Sequence, residues 1–231
     1  MDWSLVFAAL AAASMTVGNV VAIAQQNIKR LLGYSTIAHA GYLLVGIAAI
    51  ALEDTSGLPF DTFGPSSLLF YLGAYAATNL AAFFAIIAIS NKTDSDLIDD
   101  FAGMGRRAPY LAAALALAMV ALIGIPPTGI FIAKLYMFSA AVKSDLAWLA
   151  VIGVVNSVVS AYYYLRVVRI MYLSPATSDE RVPSSRAFQL ALGVSALGVL
   201  ALGIYPGPLL EVAEEAVLPL LQAANGVVAI P

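Results

Sequence analysis

A single lysine lies inside an apolar segment long enough to be embedded in a membrane. Lys134 is the only charged residue between positions 110 and 142, and Lys143 follows the end of that run. Nine helical residues place Lys134 about 13 Å from this end, close to the middle of a hydrocarbon core of about 30 Å. Such residues nearly always face a bundle interior or a water-filled cavity. We therefore predict a proton or ion carrier, with an anchor that snorkels to the interface as the alternative.

The chemistry of lysine suits this role. Burial disfavours the charged ammonium, whereas a nearby carboxylate favours it. A buried lysine can therefore take up and release a proton when a neighbouring charge moves.

A pair of prolines interrupts the same apolar segment. One unbroken helix over residues 110–142 would extend about 50 Å, which is too long for one span. Pro126 and Pro127 offer no N–H group to the preceding turn, and their rings clash with it. We predict a discontinuous helix, 110–125 and 130–142. The residues at the break are Pro126, Pro127, Thr128 and Gly129. Unwound backbone at membrane depth lies against protein or a hydrated cavity, so break and lysine together predict a water-accessible pathway.

Two further basic residues are candidates for the same pathway. His39 is placed within a turn or two of the inner end of the second predicted helix, as a structural hydrogen-bonding residue or a proton relay. Lys29 follows the first predicted helix and by position alone is a surface anchor. Nine polar residues of the spans could line a water wire, but for most of them we favour interhelical hydrogen bonding. They are Ser14, Thr16, Asn19, Gln25, Thr78, Asn79, Asn156, Ser157 and Ser160. Three consecutive tyrosines at 162–164 beside Arg166 predict an aromatic belt.

Composition excludes several classes of protein. The 231 residues are 61% hydrophobic and 11% charged, with a mean hydropathy of +0.91, which excludes a water-soluble globular protein. A net charge of −3 without a basic stripe excludes a nucleic-acid partner. The chain has no Cys and one His, so we expect no cofactor and no metal in it. Any redox centre then belongs to another chain.

Six uncharged runs predict an all-α, polytopic membrane helix bundle of six transmembrane helices, the fourth discontinuous at Pro126-Pro127. The predicted helices lie near 5–26, 35–52, 67–90, 109–142, 146–172 and 187–205. An acidic stretch at 209–224 predicts an amphipathic, interfacial tail. Nine of the ten cations outside the fourth run fall on one side of this topology, which predicts that both termini lie on the outer side of the membrane. The nine are Lys29, Arg30, Lys92, Arg106, Arg107, Arg166, Arg169, Arg181 and Arg186.

Three segments carry a family resemblance. Residues 27–42 read NIKRLLGYSTIAHAGY, 99–109 read DDFAGMGRRAP, and 122–134 read LIGIPPTGIFIAK. Together they closely resemble the antiporter-like membrane subunits of respiratory complex I, the proton-pumping NADH:quinone oxidoreductase. The IAHAGY form is similar to the subunit N family. At 129–131 this chain has Gly-Ile-Phe where the family more usually has Gly-Phe.

The resemblance implies a division of the chain. Residues 1–173 would be the second of two inverted five-helix repeats, and 174–231 the final transmembrane helix and amphipathic tail. The family's first repeat has no counterpart here. By similarity, Lys134 is the proton-carrying lysine of the second broken helix, while Lys29 and His39 belong to a hydrophilic axis.

The resemblance also implies a function and a setting. The chain would translocate protons in the bacterial plasma (inner) membrane, together with other membrane-arm subunits and the lipid bilayer. NADH, FMN, iron–sulfur clusters and quinone would be bound by partner subunits. One alternative is a subunit of a cation/proton antiporter or of a membrane-bound hydrogenase. The other is a non-pumping structural fragment.

Overall fold

The regular elements of the chain are helices, as the sequence predicts. The computed structural model describes residues 3–56, 63–176, 180–182 and 186–227. The helices are α1 (Trp3–Ile23), α2 (Ile28–Ser56), α3 (Phe63–Thr93), α4 (Met104–Arg107), α5 (Pro109–Ile123), α6 (Gly129–Lys143), α7 (Ala147–Leu173), α8 (Arg186–Ile204) and α9 (Gly207–Val227), with a 3-10 turn at Ile98–Phe101. Their length and apolar character confirm an all-α, polytopic membrane bundle.

Four of the described helices are long and apolar enough to cross a membrane alone. These spans are Trp3–Ile23, Ile28–Ala51, Phe63–Thr93 and Ala147–Leu173. Helices α8 and α9 pass the same test only as a pair, bent by 82°. Helix α5 is apolar but shorter than a span. A count of six needs α5 and α6 as two halves of one span and α8 as another, and it stays a prediction.

The predicted break in the fourth span is confirmed. Helix α5 ends at Ile123 and α6 begins at Gly129, each within two residues of its predicted limit. Gly124 terminates α5 in the left-handed region, with φ of 88°, which a residue without a Cβ adopts readily. Inside the break, the Thr128 hydroxyl donates to the Ile125 carbonyl at 2.8 Å. The Pro126-Pro127 peptide bond is cis.

The predicted start of the second helix is wrong. Helix α2 begins at Ile28, not near 35, because the Asn27 side chain accepts a hydrogen bond from the Arg30 N–H at 3.0 Å and caps the helix. A short backbone pairing of residues 26–28 with 96–98 holds this entrance in place. Lys29 and Arg30 therefore lie in the first turn of α2 and not in a loop. His39 lies about 16 Å, or three turns, along the helix rather than one or two.

Helices α1 and α2 pack with their backbones in close approach. A Cβ atom at Gly18 would lie 2.6 Å from the Ala38 nitrogen, and one at Gly41 would lie 2.6 Å from the Met15 nitrogen. Both positions tolerate only a hydrogen atom, as is common where membrane helices pack through small residues. This contact fixes the face that α2 turns toward the centre of the bundle.

We expect Gly18→Ala to destabilise the fold by about 1–3 kcal/mol, because the added methyl group must push two backbones apart. The matched control is Gly33→Ala. Gly33 is also in α2, but a Cβ atom added there meets nothing within 4 Å. That change should be neutral or stabilising by up to about 1 kcal/mol, since alanine favours the helix. Thermal unfolding of the purified protein in detergent measures both. Equal effects of the two changes would contradict the close α1–α2 packing.

Candidate functional site

Lys134 is buried in α6, directly below the break. Its side chain is 5% exposed. The Nζ atom donates to the Ile123 carbonyl and to the Ser157 hydroxyl, both at 3.0 Å, and lies 4.3 Å from the centre of the Tyr42 ring. Two of the three ammonium N–H groups can thus donate hydrogen bonds to these oxygens, and the face of the Tyr42 ring lies against the ammonium. The side chain points into the bundle and does not reach toward a membrane surface.

The break itself supplies the carbonyl that binds Lys134. In a continuous helix the Ile123 carbonyl would accept the N–H of residue 127, which is proline and has none. The carbonyl is therefore available to the lysine, eleven residues further along the chain. Among the described residues, no carboxylate forms an ion pair with Lys134.

A hydroxyl and ring network connects Lys134 to His39. The Ser157 hydroxyl lies 3.2 Å from the Tyr42 hydroxyl. The Tyr42 ring meets the His39 ring edge-on, with centres 5.6 Å apart. His39 is buried, stacks on Tyr75 at 4.6 Å and places Nδ1 2.7 Å from the Tyr71 hydroxyl. The structure thus brings two of the three predicted site residues into one cluster formed by α2, α3, α6 and α7.

Polar contacts continue from this cluster between α1 and α7. The Asn19 amide donates to the Asn156 side-chain oxygen at 3.1 Å, which confirms the predicted interhelical hydrogen bonding for this pair. The Tyr163 hydroxyl donates to Asn19 at 2.8 Å, and the Tyr164 hydroxyl is hydrogen-bonded to Ser35. Both contacts cross between helices within the buried part of the bundle.

The predicted aromatic belt at 162–164 is therefore wrong for two of its three tyrosines. Tyr162 is 64% exposed, whereas Tyr163 and Tyr164 are buried. Consecutive residues of a helix point about 100° apart, so three in a row cannot share one lipid-facing side.

Lys29 lies apart from this cluster. Its Nζ forms an ion pair with Asp96 at 2.7 Å, at a site where the two side chains are 44% and 30% exposed. Hydrogen bonding to the Lys29 ammonium holds the pKa of Asp96 below its usual value. The pair is thus intact at neutral pH and is lost as the pH falls through that lowered pKa. An exposed pair of this kind contributes below about 1 kcal/mol.

A cavity of about 380 Å³ adjoins Lys134. Lys134 and Ser157 provide its polar side chains, and the other lining residues are apolar or glycine. Leu135, Val154 and Val158 on its rim are 50%, 51% and 70% exposed, so the cavity opens on the outside of the described bundle. A group outside this bundle can approach the ammonium here. Within the described residues, no three His, Asp or Glu side chains cluster as a metal site would require.

Sequence reasoning missed the residues that hold His39. Tyr71 and Tyr75 lie four positions apart, so they share one face of α3. Tyr71 hydrogen-bonds the imidazole and Tyr75 stacks on it. That spacing was the available signal. Tyrosine is common in apolar interiors, however, and the spacing alone does not say what the face meets.

Ser157→Ala should destabilise the protein by about 1–3 kcal/mol, because a buried charged donor loses a partner. Ser139→Ala is the matched control: its hydroxyl bonds only the Leu135 carbonyl one turn back in the same helix. We expect that change to stay within about 0.5 kcal/mol. Thermal unfolding in detergent compares them. A Ser157→Ala protein as stable as the control would mean that Lys134 does not depend on this hydroxyl.

Comparison with known proteins places the chain in a family. Residues 1–160 match the model described as NADH:quinone oxidoreductase/Mrp antiporter, TM. Over 215 residues the chain is 49% identical to NADH-quinone oxidoreductase subunit N of Dehalococcoides mccartyi, covering 93% of this chain and 43% of that protein. The chain thus spans less than half the length of this relative.

Solved structures agree. A chain of respiratory complex I from Thermus thermophilus with bound aureothin superposes with a TM-score of 0.75 at 32% identity, over 89% of this chain and 44% of that one. A chain of the membrane-bound sulfane sulfur reductase, an archaeal respiratory membrane complex, gives 0.81 at 26% identity, over 93% and 42%. With the family match over residues 1–160, the chain belongs to the NADH:quinone oxidoreductase/Mrp antiporter membrane family.

Proposed function

We propose that this chain translocates protons as part of the membrane arm of an NADH:quinone oxidoreductase, with Lys134 as the proton carrier. The observation that carries the proposal is the buried ammonium, held by the carbonyl of a broken helix and by Ser157, with no ion-paired carboxylate among the described residues. Burial of a lysine in a membrane segment without a counter-charge costs free energy, and such residues mark ion and proton pathways.

The two hydrogen-bonding partners of Lys134 differ in whether they can pass a proton on. The Ile123 carbonyl can only accept a hydrogen bond, so it holds the ammonium without taking its proton. The Ser157 hydroxyl can accept a hydrogen bond from Lys134 and donate its own hydrogen to the Tyr42 hydroxyl, so it can pass a proton on by taking up one and releasing the other. A charge that arrives at the adjoining cavity would change the balance between the ammonium and the amine. Loading and unloading of Lys134 then follow the movement of that charge.

His39 and Lys29 take different places in this pathway. His39 contacts the Tyr42 ring that also covers Lys134, which supports a role in the same hydrophilic axis. Lys29 lies at the exposed end of α2 with Asp96, which supports a role at the entrance to that axis. In this proposal residues 1–173 form the second five-helix repeat of the family, and 174–231 the final helix and tail.

The redox chemistry belongs to other subunits in this proposal. NADH, FMN, iron–sulfur clusters and quinone would be bound there, and this chain would respond to quinone reduction through the other membrane-arm subunits. A subunit of a cation/proton antiporter or a membrane-bound hydrogenase is the second candidate, because the family description includes Mrp antiporters and the sulfane sulfur reductase shares the fold. Identity favours the oxidoreductase: among the solved structures the complex I chain is 32% identical and the sulfane sulfur reductase chain 26%.

We propose a bacterial plasma membrane as the location because the subunit N relative of Dehalococcoides mccartyi is bacterial, and we place both termini outside on the basis of the loop cations. The chain contains no cysteine, so single cysteines report cleanly on this topology. With a membrane-impermeant maleimide, Lys143→Cys should label in intact cells and Asp99→Cys only after permeabilisation. Both side chains are exposed. Labelling of both from the same face would reject the orientation.

The Lys134 side chain offers the sharpest test of function. In the assembled enzyme, Lys134→Ala should lower proton uptake at least about tenfold, the change that ~1.4 kcal/mol of barrier produces. Coupled NADH:quinone turnover should fall with it. Lys134→Arg should be nearly as damaging, because a guanidinium does not readily release its proton. Lys134→Glu should keep partial activity, since a carboxylate can titrate.

Lys143→Ala, at the exposed end of the same helix, is the matched control and should leave pumping unchanged. Each variant is first checked for assembly. Normal proton uptake by the arginine variant would show that Lys134 carries no proton, and a non-pumping structural role for the chain would then be the better account.

A further inference from the structure

A second cavity, of about 680 Å³, lies on α7 near its C-terminal end and has a different character from the one beside Lys134. Two arginines line it, Arg166 and Arg169, together with Tyr162 and an apolar wall that includes Leu165 and Ile170. The proposed proton pathway uses none of these side chains.

The cavity lies where the outer face of α7 changes from apolar to basic. Along that face Val151, Val154 and Val158 are 62%, 51% and 70% exposed, as residues against lipid chains are. Tyr162, Leu165, Arg166 and Arg169 follow at the spacing of one helical face. A tyrosine followed by arginines is the arrangement found where hydrocarbon gives way to headgroups.

The two guanidinium groups have donors to spare. Arg166 Nη1 donates to the Gln25 carbonyl at 3.3 Å, which orients the group and leaves its other N–H donors unused by that bond. Among the described residues, neither arginine forms an ion pair with a carboxylate. Asp99 also lines the cavity but carries one charge against two. Guanidinium groups match phosphate oxygens in pairs, so an anion with apolar chains fits both walls.

We propose that this cavity binds an anionic phospholipid, with the lipid phosphate on Arg166 and Arg169 and an acyl chain along Leu165 and Ile170. Basic pockets at the membrane surface between helices bind such headgroups. Free phosphate would use the arginines but gain nothing from the apolar wall.

The test uses the purified protein in phosphatidylcholine nanodiscs with a minor fraction of photo-activatable phosphatidylglycerol. Cross-links are mapped by mass spectrometry, and we expect them within residues 162–174. Each basic side chain near a membrane surface contributes about fivefold to the attraction of an anionic lipid, so Arg166→Gln with Arg169→Gln should lower this labelling about 25-fold. Arg30→Gln with Arg181→Gln is the matched control. It removes the same charge from exposed positions that do not line the cavity, and should leave labelling within about twofold.

If the double variant does not fold, Arg169→Gln alone, at an exposed side chain, should lower labelling about fivefold. Unchanged labelling in a folded variant would overturn the proposal. Inorganic phosphate that suppresses the labelling as strongly as unlabelled phosphatidylglycerol does would also overturn it, because the site would then bind a free anion. Labelling that appears only after partner subunits are removed would indicate a protein interface and would overturn it as well.

Discussion

The Ile123 carbonyl, which has no backbone donor because residue 127 is proline, is the constraint on which the rest of the site depends. Pro127 cannot donate to it, and a backbone polar group at this depth in a membrane must be paired within the protein or with water in a cavity. Lys134 supplies the missing donor from the next helix, at 3.0 Å. The break leaves a carbonyl without a backbone donor, and the buried lysine needs an acceptor. Each group therefore supplies the hydrogen-bonding partner that the other lacks.

The partners of Lys134 come from helices far apart in sequence, and the packing of α1 and α2 decides whether they meet. Gly18 and Gly41 allow those two backbones to touch, which sets the rotation of α2. That rotation points Tyr42 toward Lys134 and His39 toward α3. Helix α7 then adds Ser157 on one side of the cluster and Asn156 with Tyr163 further along. A substitution at Gly18 or Gly41 would therefore change the position of Tyr42 relative to the Lys134 ammonium.

Much of the fold and the centre of the site could be predicted from the sequence, because the bilayer imposes simple rules of length and polarity. Apolar runs located the helices, and two prolines located the break to within two residues. The start of α2 could not be found in this way, since its first turn is polar and a search for apolar runs begins too late. The burial of Tyr163 and Tyr164 was also missed, because residue type does not reveal which way a helix is rotated.

The cluster also explains why a charged residue can persist where an apolar one would be easier to bury. Removing the ammonium would leave the Ile123 carbonyl and the Ser157 hydroxyl with one partner fewer, so an apolar side chain of equal volume would not restore the contacts. The Ser157 hydroxyl that stabilises the charged form also contacts the Tyr42 hydroxyl at 3.2 Å, so it joins Lys134 to the rest of the cluster. The hydrogen bond that stabilises the buried ammonium is thus also the one on which the proposed proton transfer rests, so under that proposal a change at Ser157 alters stability and transport together.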